Sequence, residues 1–250
     1  MAVPRILLVN PNTSQSVTDR LATEARLVAG DRAEIPAATA RFGAAGIETL
    51  AEATVAAHAV LDAVAARSDM DAVIVAAFMD PGLEALRESA LVPAVGIAES
   101  GVRAAAAGGR RFAIVSLAPR LRVGVDRVIA DCGVADRLVA LRYVSGGVLD
   151  LARDRAAFLD EIMALAARVV AEDGAEAILF GGAVFAGIGR ELGDRAGVPL
   201  YDGVGAAVEA ALAAVAARPV RPPPRDPAKP YPGLPDGLAR MLAGGLAGPS

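Results

Sequence analysis

Cysteine, histidine and lysine each occur once in this sequence, as Cys132, His58 and Lys229. A single cysteine cannot form a disulfide within the chain. A zinc site or a Ser-His-Asp triad would have to use His58, which lies in an alanine-rich helical pattern, and no G-x-S-x-G turn is present. Lys229 lies in a proline-rich tail, which argues against a buried lysine that forms a Schiff base. These absences leave a site built from backbone amides, hydroxyls, carboxamides and carboxylates, and they argue against a metal site.

Aromatic residues, basic runs and long apolar runs are also scarce. Aromatics make up 4% of the chain and tryptophan is absent, whereas 54% of the residues are hydrophobic and alanine dominates them. Such a composition suits parallel strands covered by helices of small residues. The net charge is −4 and basic residues are scattered, which does not favour nucleic acid as a partner. There is no phosphate-binding G-x-x-x-x-G-K-[ST] loop, no membrane span and no signal peptide pattern, so we expect a soluble, cytoplasmic protein.

Three segments of the first half of the chain recur about a hundred residues later. The paired segments are Asp71–Leu86 with Ala175–Glu191, Arg5–Asn10 with Arg111–Ser116, and Val92-Pro93 with Val198-Pro199. The last two pairs share one spacing of 106 residues, from 5 to 111 and from 92 to 198. This register predicts an α/β fold of two Rossmann-like parallel-sheet domains, related by a pseudo-twofold axis, with the active site in the cleft between them.

Hydrophobic periodicity and turn signals divide each copy into strands and helices. The predicted strands are Arg5–Asn10, one within 29–36, Val73–Val75, Ala94–Ile97, Phe112–Val115, Val139–Val144, Ala177–Gly181 and Val198–Tyr201. The predicted helices are Ser16–Leu27, Thr49–Arg67, Leu121–Asp131, Ala156–Asp173, Val204–Ala217, Gly237–Leu246 and one that begins at Asp80-Pro81 with Asp80 as its N-cap. We predict a first domain of residues 1–100 with 205–218, a second of 101–204, and a proline-rich C-terminal strap of 219–250.

Polar residues follow the predicted strands, where ligands bind in open α/β sheets. Asn10, Asn12 and Thr13 follow the first strand, either as helix caps or as substrate-binding groups, and Ser116 is the counterpart of Asn10. Glu48 ends a glycine-bearing loop, Arg41–Glu48, which is either a lid over the site or a solvated loop whose carboxylate caps the next helix.

Other candidates each have a structural alternative. Glu99 is either a carboxylate facing the cleft or part of a helix N-cap region, and Asp80 is already explained by its cap. We expect His58 to be partly buried with a local partner and Cys132 to be a small hydrophobic side chain. The tail is either a disordered end or a strap, which Tyr231, Leu234 and Leu238 favour.

Four further motifs are VNPNTS at Val9–Ser14, FMDPGLEALRE at Phe78–Glu88, VPAVGIAE at Val92–Glu99 and GVPLYDGV at Gly197–Val204. They resemble motifs of the aspartate/glutamate/hydantoin racemase superfamily, and of its hydantoin racemases in particular. The resemblance covers nearly the whole chain. It implies two α/β domains related by a pseudo-twofold axis, a cleft between them, and no cofactor.

The resemblance also implies two cysteines that face each other across the substrate and move the α-proton. Its pattern places them at Ala77 and Gly182, neither of which carries a thiol or an ionisable group. The two-thiol mechanism therefore cannot operate in this chain. The backbone amides of Met79 and Ala183, directly after those positions, are the groups that the resemblance places against substrate.

These considerations define a set of predicted site residues and a predicted function. The predicted substrate-binding residues are Asn10, Asn12, Thr13, Ala77, Phe78, Met79, Ser116, Gly181, Gly182 and Ala183, and the predicted catalytic residues are Glu48, Glu99 and Asp80. We expect a cofactor-independent enzyme that hydrolyses, or eliminates from, a hydantoin-like or thiohydantoin-like ring or a small amino or dicarboxylic acid. The alternatives are a racemase or isomerase with non-cysteine acid–base groups, and a non-catalytic binder. We expect a homo-oligomer that binds a small molecule with a carboxylate or imide group.

Overall fold

The protein folds into two parallel four-stranded sheets with helices on both faces. The computed structural model describes residues 3–89, 92–117, 119–144, 155–217 and 230–243. The strands of the first sheet are β1 (Ile6–Asn10), β2 (Ala37–Thr39), β3 (Ala72–Val75) and β4 (Ala94–Gly96), in the order β2-β1-β3-β4. Those of the second sheet are β5 (Phe112–Ser116), β6 (Leu138–Tyr143), β7 (Ala177–Gly181) and β8 (Leu200–Tyr201), in the order β6-β5-β7-β8.

The helices connect successive strands and pack on the sheets. They are α1 (Gln15–Ala29), α2 (Leu50–Ala65), α3 (Leu83–Ser89), α4 (Ile97–Ala106), α5 (Arg122–Asp131), α6 (Arg155–Ala171), α7 (Ile188–Leu192), α8 (Val204–Ala217) and α9 (Asp236–Leu242). Among the residues that the structure describes, none of the helices combines the length and hydropathy needed to cross a membrane.

The two sheets repeat each other residue by residue at their centres. Ile6 of β1 pairs with Ala72 of β3, and Phe112 of β5 pairs with Ala177 of β7, in both cases parallel. All four of these strands are completely buried, as parallel strands covered on both faces require. The predicted duplicated α/β fold is confirmed.

The helix that follows the last strand of each sheet packs on the other sheet. Val102 and Ala105 of α4 lie in a cluster with Phe112 and Leu179 of the second sheet. In return, the buried residues of α8 (Val204, Ala207, Val208 and Ala211) belong to the core around the first sheet. The first half of the molecule therefore ends at β4, and a boundary at residue 100 would fall inside α4.

Where α4 and α8 cross, glycine allows their backbones to approach. A Cβ atom on Gly101 would lie 2.7 Å from Leu179 Cδ1 and 3.1 Å from the Cα atom of Gly203. The two exchanged helices thus hold the halves together over a short distance, and this sets how the carboxyl ends of the two sheets face each other.

The described part of the C-terminal segment packs on its own chain. Leu238 and Met241 of α9 are buried against Val60 and Val64 of α2. The hydroxyl of Tyr231 donates to a backbone carbonyl at the end of α9, 3.3 Å away. The prolines between 219 and 229 lie outside the described residues.

The predicted second strand within 29–36 is wrong. Helix α1 continues to Ala29, the 3-10 turn Gly30–Arg32 follows, and β2 begins only at Ala37. Glu34 makes one isolated bridge to Arg5, and the regular pairing with β1 starts where Ala37 meets Leu8. The predicted helix ends at Leu27, whereas α1 ends at Ala29. The strand that follows α1 therefore begins later in the sequence than predicted.

Candidate active site between the two sheets

Two equivalent turns follow the central strands β3 and β7. In the first turn the amide of Asp80 donates to the carbonyl of Ala77 at 2.9 Å, and in the second the amide of Phe185 donates to the carbonyl of Gly182 at 3.0 Å. Gly82 and Gly187 occupy the same later position and have φ angles of 82° and 81°. The two turns therefore share one hydrogen bond and one glycine position at a spacing of 105 residues, from 77 to 182 and from 82 to 187, but only in the first do the third and fourth residues, Met79 and Asp80, have positive φ.

Each turn leaves two backbone amides without a protein acceptor. These are the amides of Phe78 and Met79 in the first turn and of Ala183 and Val184 in the second, considered within the residues that the structure describes. In a turn closed by one hydrogen bond between its first and fourth residues, the amides of the two middle residues have no partner within the turn itself. The site therefore offers two pairs of hydrogen-bond donors for a carbonyl oxygen or an anion.

The two turns are in direct contact. The ring of Phe78 covers Gly181, where a Cβ atom would lie 2.7 Å from ring atom Cε1. Ala183 packs against the core cluster of the first sheet. Ala77 and Gly182, which lie at the equivalent positions of the two turns, are thus the sequence neighbours of two residues in contact, Phe78 and Gly181, and neither carries a group that can transfer a proton.

The end of β1 supplies further polar groups. Asn10 is fully buried, and its side-chain nitrogen donates to Asn12 Oδ1, to the carbonyl of Ser14 and to Thr18 Oγ1, at 2.9, 3.1 and 3.0 Å. It therefore holds the loop in shape. The Nδ2 atom of Asn12 and the hydroxyl of Thr13 have no partner in the described part of the chain, so both can bind a ligand.

Ser116 lies at the equivalent end of β5, but its contacts differ from those of Asn10. Its hydroxyl is buried and donates to the carbonyl of Gly181 at 2.8 Å. This bond fixes the start of the second turn rather than leaving a free group for substrate.

Glu48 and Glu99, two of the three predicted catalytic carboxylates, have different surroundings. Glu48 is exposed just before α2, whose N-cap is Thr49 in a capping box with Glu52. The carboxylate of Glu48 has no partner among the described residues. Glu99 lies in the first turn of α4, and both of its oxygens accept hydrogen bonds from Arg87.

Asp80 does not cap the helix that it precedes, which corrects the predicted helix start. Its two carboxylate oxygens accept the amides of Ala98 and Glu99 in the first turn of α4, at 2.9 and 2.8 Å. Met79 and Asp80 have φ angles of 111° and 51°, which side-chain-bearing residues rarely adopt. Burial raises the pKa of Asp80 to about 7, against the opposing effect of the two amide bonds.

Cys132 lies in a separate groove of about 820 Å³ between α2, α3, α4 and α5. Met79 and Asp80 line this groove, but Ala77, Gly181 and Gly182 do not. The Cys132 thiol lies 3.9 Å from the carbonyl of Glu99, and burial raises its pKa. The one thiol of the chain is therefore not at the positions where the family resemblance expects thiols.

His58, the one histidine, is exposed rather than partly buried. Its ring makes an edge contact with Phe42, with 5.0 Å between the ring centroids.

The amide of Val184 is a site group that the sequence analysis does not predict. The spacing of 105 residues that relates Gly82 to Gly187 identifies Val184 as the equivalent of Met79.

Comparison with known proteins agrees with the fold. Residues 6–211 match the family described as Asp/Glu/Hydantoin racemase. A hydantoin racemase of Paenarthrobacter aurescens is 35% identical over 215 residues, which cover 85% of this chain and 91% of that protein. A structure of allantoin racemase from Klebsiella pneumoniae superposes with a TM-score of 0.81 at 33% identity, over 86% of this chain and 88% of that one. A structure of allantoin racemase from Pseudomonas fluorescens superposes with a TM-score of 0.81 at 36% identity, over 85% of this chain and 91% of that one.

These relatives overturn one functional expectation. The expectation of hydrolysis or elimination rests on the absence of thiols at Ala77 and Gly182, yet the similar proteins are named as racemases. The main functional expectation is therefore wrong, and its racemase alternative agrees better with the relatives. The chain belongs to the aspartate/glutamate/hydantoin racemase family of enzymes.

Proposed function

We propose that this protein is an isomerase that inverts the α-carbon of a hydantoin-like ring without thiol groups. The observation that carries the proposal is the pair of turns in contact through Phe78 and Gly181, each with two amides that have no acceptor in the described part of the chain. The hydantoin and allantoin in the names of its relatives are both five-membered cyclic ureides, with ring carbonyls that such amides can bind.

The amides act on the charge that develops during proton removal. Loss of the α-proton gives an enolate, whose negative charge lies largely on the neighbouring carbonyl oxygen. One well-placed donor to such an oxygen contributes about 3 kcal/mol to the transition state. The amides of Phe78 and Met79 or those of Ala183 and Val184 supply these donors, and Asn12 Nδ2 and Thr13 Oγ1 orient the rest of the ring.

Inversion requires a proton path on each face of the α-carbon. Ala77 and Gly182 have small side chains, which leave room for a water molecule on either side. The ring itself stabilises the carbanion, so weaker bases suffice than for a free amino acid. The water on one face takes the α-proton, and the water on the other face returns a proton to carbon.

Glu48 is the carboxylate that we assign to this proton transfer. Asp80 has both oxygens occupied by backbone amides and Glu99 is paired with Arg87, whereas Glu48 has no partner in the described part of the chain. Its loop is tied to the site, because the carbonyl of Ala44 accepts the amide of Thr13 at 3.0 Å. Glu48 accepts the proton from the first water and returns it to the hydroxide left by the second, so no net proton is consumed.

The test follows α-proton exchange in heavy water. Optically pure 5-substituted hydantoins and allantoin are incubated with the protein, and optical rotation and α-deuterium are recorded together by polarimetry and NMR. We expect rotation to be lost as deuterium is incorporated, faster than in the protein-free reaction. No acceleration for any compound, or calorimetric binding without exchange, refutes the proposal.

The role of Glu48 is tested separately with matched variants. We expect Glu48→Gln to lower the exchange rate about 100-fold or more, the lower end of what a general base contributes. Asp136→Asn is the control, because Asp136 is an exposed carboxylate just before β6. It therefore lies at the amino end of that strand, whereas the two turns follow the carboxyl ends of theirs. Equal rates for the two variants would remove Glu48 from the mechanism while leaving α-proton exchange itself intact.

A further inference from the structure

Asp80 ties the first turn to the start of α4. The residue lies within the turn, and its carboxylate accepts the amides of Ala98 and Glu99. Asp80 is thus a helix cap supplied from 18 residues upstream in the chain. Because α4 packs on the second sheet, this bond connects the first turn to the opposite half of the molecule.

Asp202 ties the second turn to the start of α8 in the reverse direction. It lies two residues before Val204, the first residue of the helix, and its Oδ1 atom accepts the amide of Val204 at 3.0 Å. Its Oδ2 atom reaches back to the second turn and accepts the amide of Gly187 at 2.7 Å. Helix α8 packs on the first sheet, so this contact also crosses between the halves.

The carboxylate lies at a different position of the repeat in each copy. The counterpart of Asp80 in the repeat is Phe185, which donates the same turn hydrogen bond and packs between Phe158 and Phe180. The counterpart of Asp202 is Gly96, since β4 and β8 are equivalent strands. A Cβ atom on Gly96 would lie 2.0 Å from Asp80 Cγ, so the site has space for one carboxylate only.

In both copies an aspartate connects the turn to the start of the next exchanged helix, but in one copy it lies in the turn and in the other it lies before the helix. The contact itself is therefore common to both copies, and its effect on the turn indicates its role. The φ angles of Met79 and Asp80 are strained for residues with side chains, and such conformations persist only where surrounding contacts hold them. The two bonds from α4 hold Asp80 in this conformation, and with it the amides of Phe78 and Met79. We propose that Asp80 and Asp202 are positioning residues that aim the two amide pairs at the substrate, an inference that rests on the proposed isomerase function.

The first test separates positioning from simple stability. We expect Asp80→Asn and Gly96→Ala to lower kcat about 10- to 100-fold with a smaller change in KM, the range that misplacement of catalytic groups produces. Gly96→Ala leaves Asp80 in place but pushes its carboxylate away from α4. Asp71→Asn is the control, since Asp71 also accepts a backbone amide, that of Arg5 at 2.8 Å. This bond lies at the amino ends of β1 and β3, away from the turn. A loss of melting temperature without a loss of kcat in the folded variants refutes the proposal.

The second test moves the carboxylate from one position to the other. The double variant Asp80→Gly with Gly96→Asp reproduces the arrangement of the second copy. The amides of Gly82 and Ala98 are the counterparts of those of Gly187 and Val204, and Gly82 has no partner for its amide among the described residues. Gly96 has φ −115° and ψ 152°, which any residue adopts, and Gly at position 80 tolerates its φ of 51°.

We expect the double variant to recover at least 10-fold of the kcat that Asp80→Gly loses. Absence of recovery in a folded double variant overturns the proposal. Amide chemical shifts of Phe78 and Met79, measured by NMR, provide a readout that does not need turnover. If wild-type protein shows no α-proton exchange, the proposed function fails. Shifts that move in Asp80→Gly and return in the double variant then support the positioning contact, and unchanged shifts refute it.

Discussion

The buried carboxyl group of Asp80 makes the stability of this protein depend on pH. Burial raises its pKa to about 7 in the folded protein, compared with an ordinary aspartate value of about 3.9 in the unfolded chain. The arginine that lowers this pKa, Arg87, is itself engaged by Glu99, whose charge raises it. The difference of about 3 pKa units corresponds to about 4 kcal/mol.

The sign follows from which state holds the proton. Between about pH 4 and pH 7 the folded protein keeps a proton on Asp80 that the unfolded chain has released. The contribution of this group to the unfolding free energy is therefore complete below about pH 4 and is lost as the pH rises to about 7. Asp80→Asn lacks this titration. We expect the stability of the wild-type protein minus that of the variant to fall by about 1.4 kcal/mol per pH unit across this interval.

Urea unfolding of both proteins, followed by circular dichroism between pH 4.5 and pH 8, measures this difference. Leu238→Ala is the control, because it removes packing rather than charge and keeps a constant offset from wild type. A difference that rises with pH would show that the amides of Ala98 and Glu99 hold Asp80 as an anion. That result, or a difference that does not change with pH, would refute the reasoning.

Three further substitutions test local parts of the structure. Thr49→Ala removes the capping box of α2 and is expected to lower the unfolding free energy by about 1 kcal/mol, measured by urea denaturation. Ser116→Ala leaves the carbonyl of Gly181 without its hydroxyl donor, and we expect a loss of about 1–3 kcal/mol together with a lower kcat. Leu238→Ala opens a cavity between α9 and α2, and we expect a cost of about 2–5 kcal/mol if the tail is part of the core in solution, whereas a loss below about 1 kcal/mol would contradict that packing.

The duplicated fold was predictable because its evidence is local and repeated. Buried parallel strands appear as apolar runs, and the recurrence of Arg5–Asn10 as Arg111–Ser116 fixes how the two copies correspond. The strand ends and the turns after them follow directly, so the region around Ala77 and Gly182 could be placed from the sequence alone. The strand β7, Ala177–Gly181, and the helix α8, Val204–Ala217, match their predicted bounds.

Contacts between distant segments could not be predicted in the same way. An aspartate before a proline is a local signal for a helix start. Asp80 instead caps α4, because the chain brings the first turn of α4 next to it after a further 18 residues. Nothing in the pattern around Asp202 shows that its partner is Gly187. The reaction class was predicted wrongly because the prediction rested on two positions, Ala77 and Gly182, rather than on the fold, which the chain shares with racemases.

The exchange of α4 and α8 between the sheets also bears on how such a molecule originates. A chain that stopped after the first copy would end in a helix whose apolar side has no sheet of its own to cover. Two such chains placed face to face would each supply the helix that the other lacks, and would form a cleft between identical turns. Once both copies lie in one chain, each is free to differ from the other, as at Phe185, the counterpart of Asp80, and Gly96, the counterpart of Asp202.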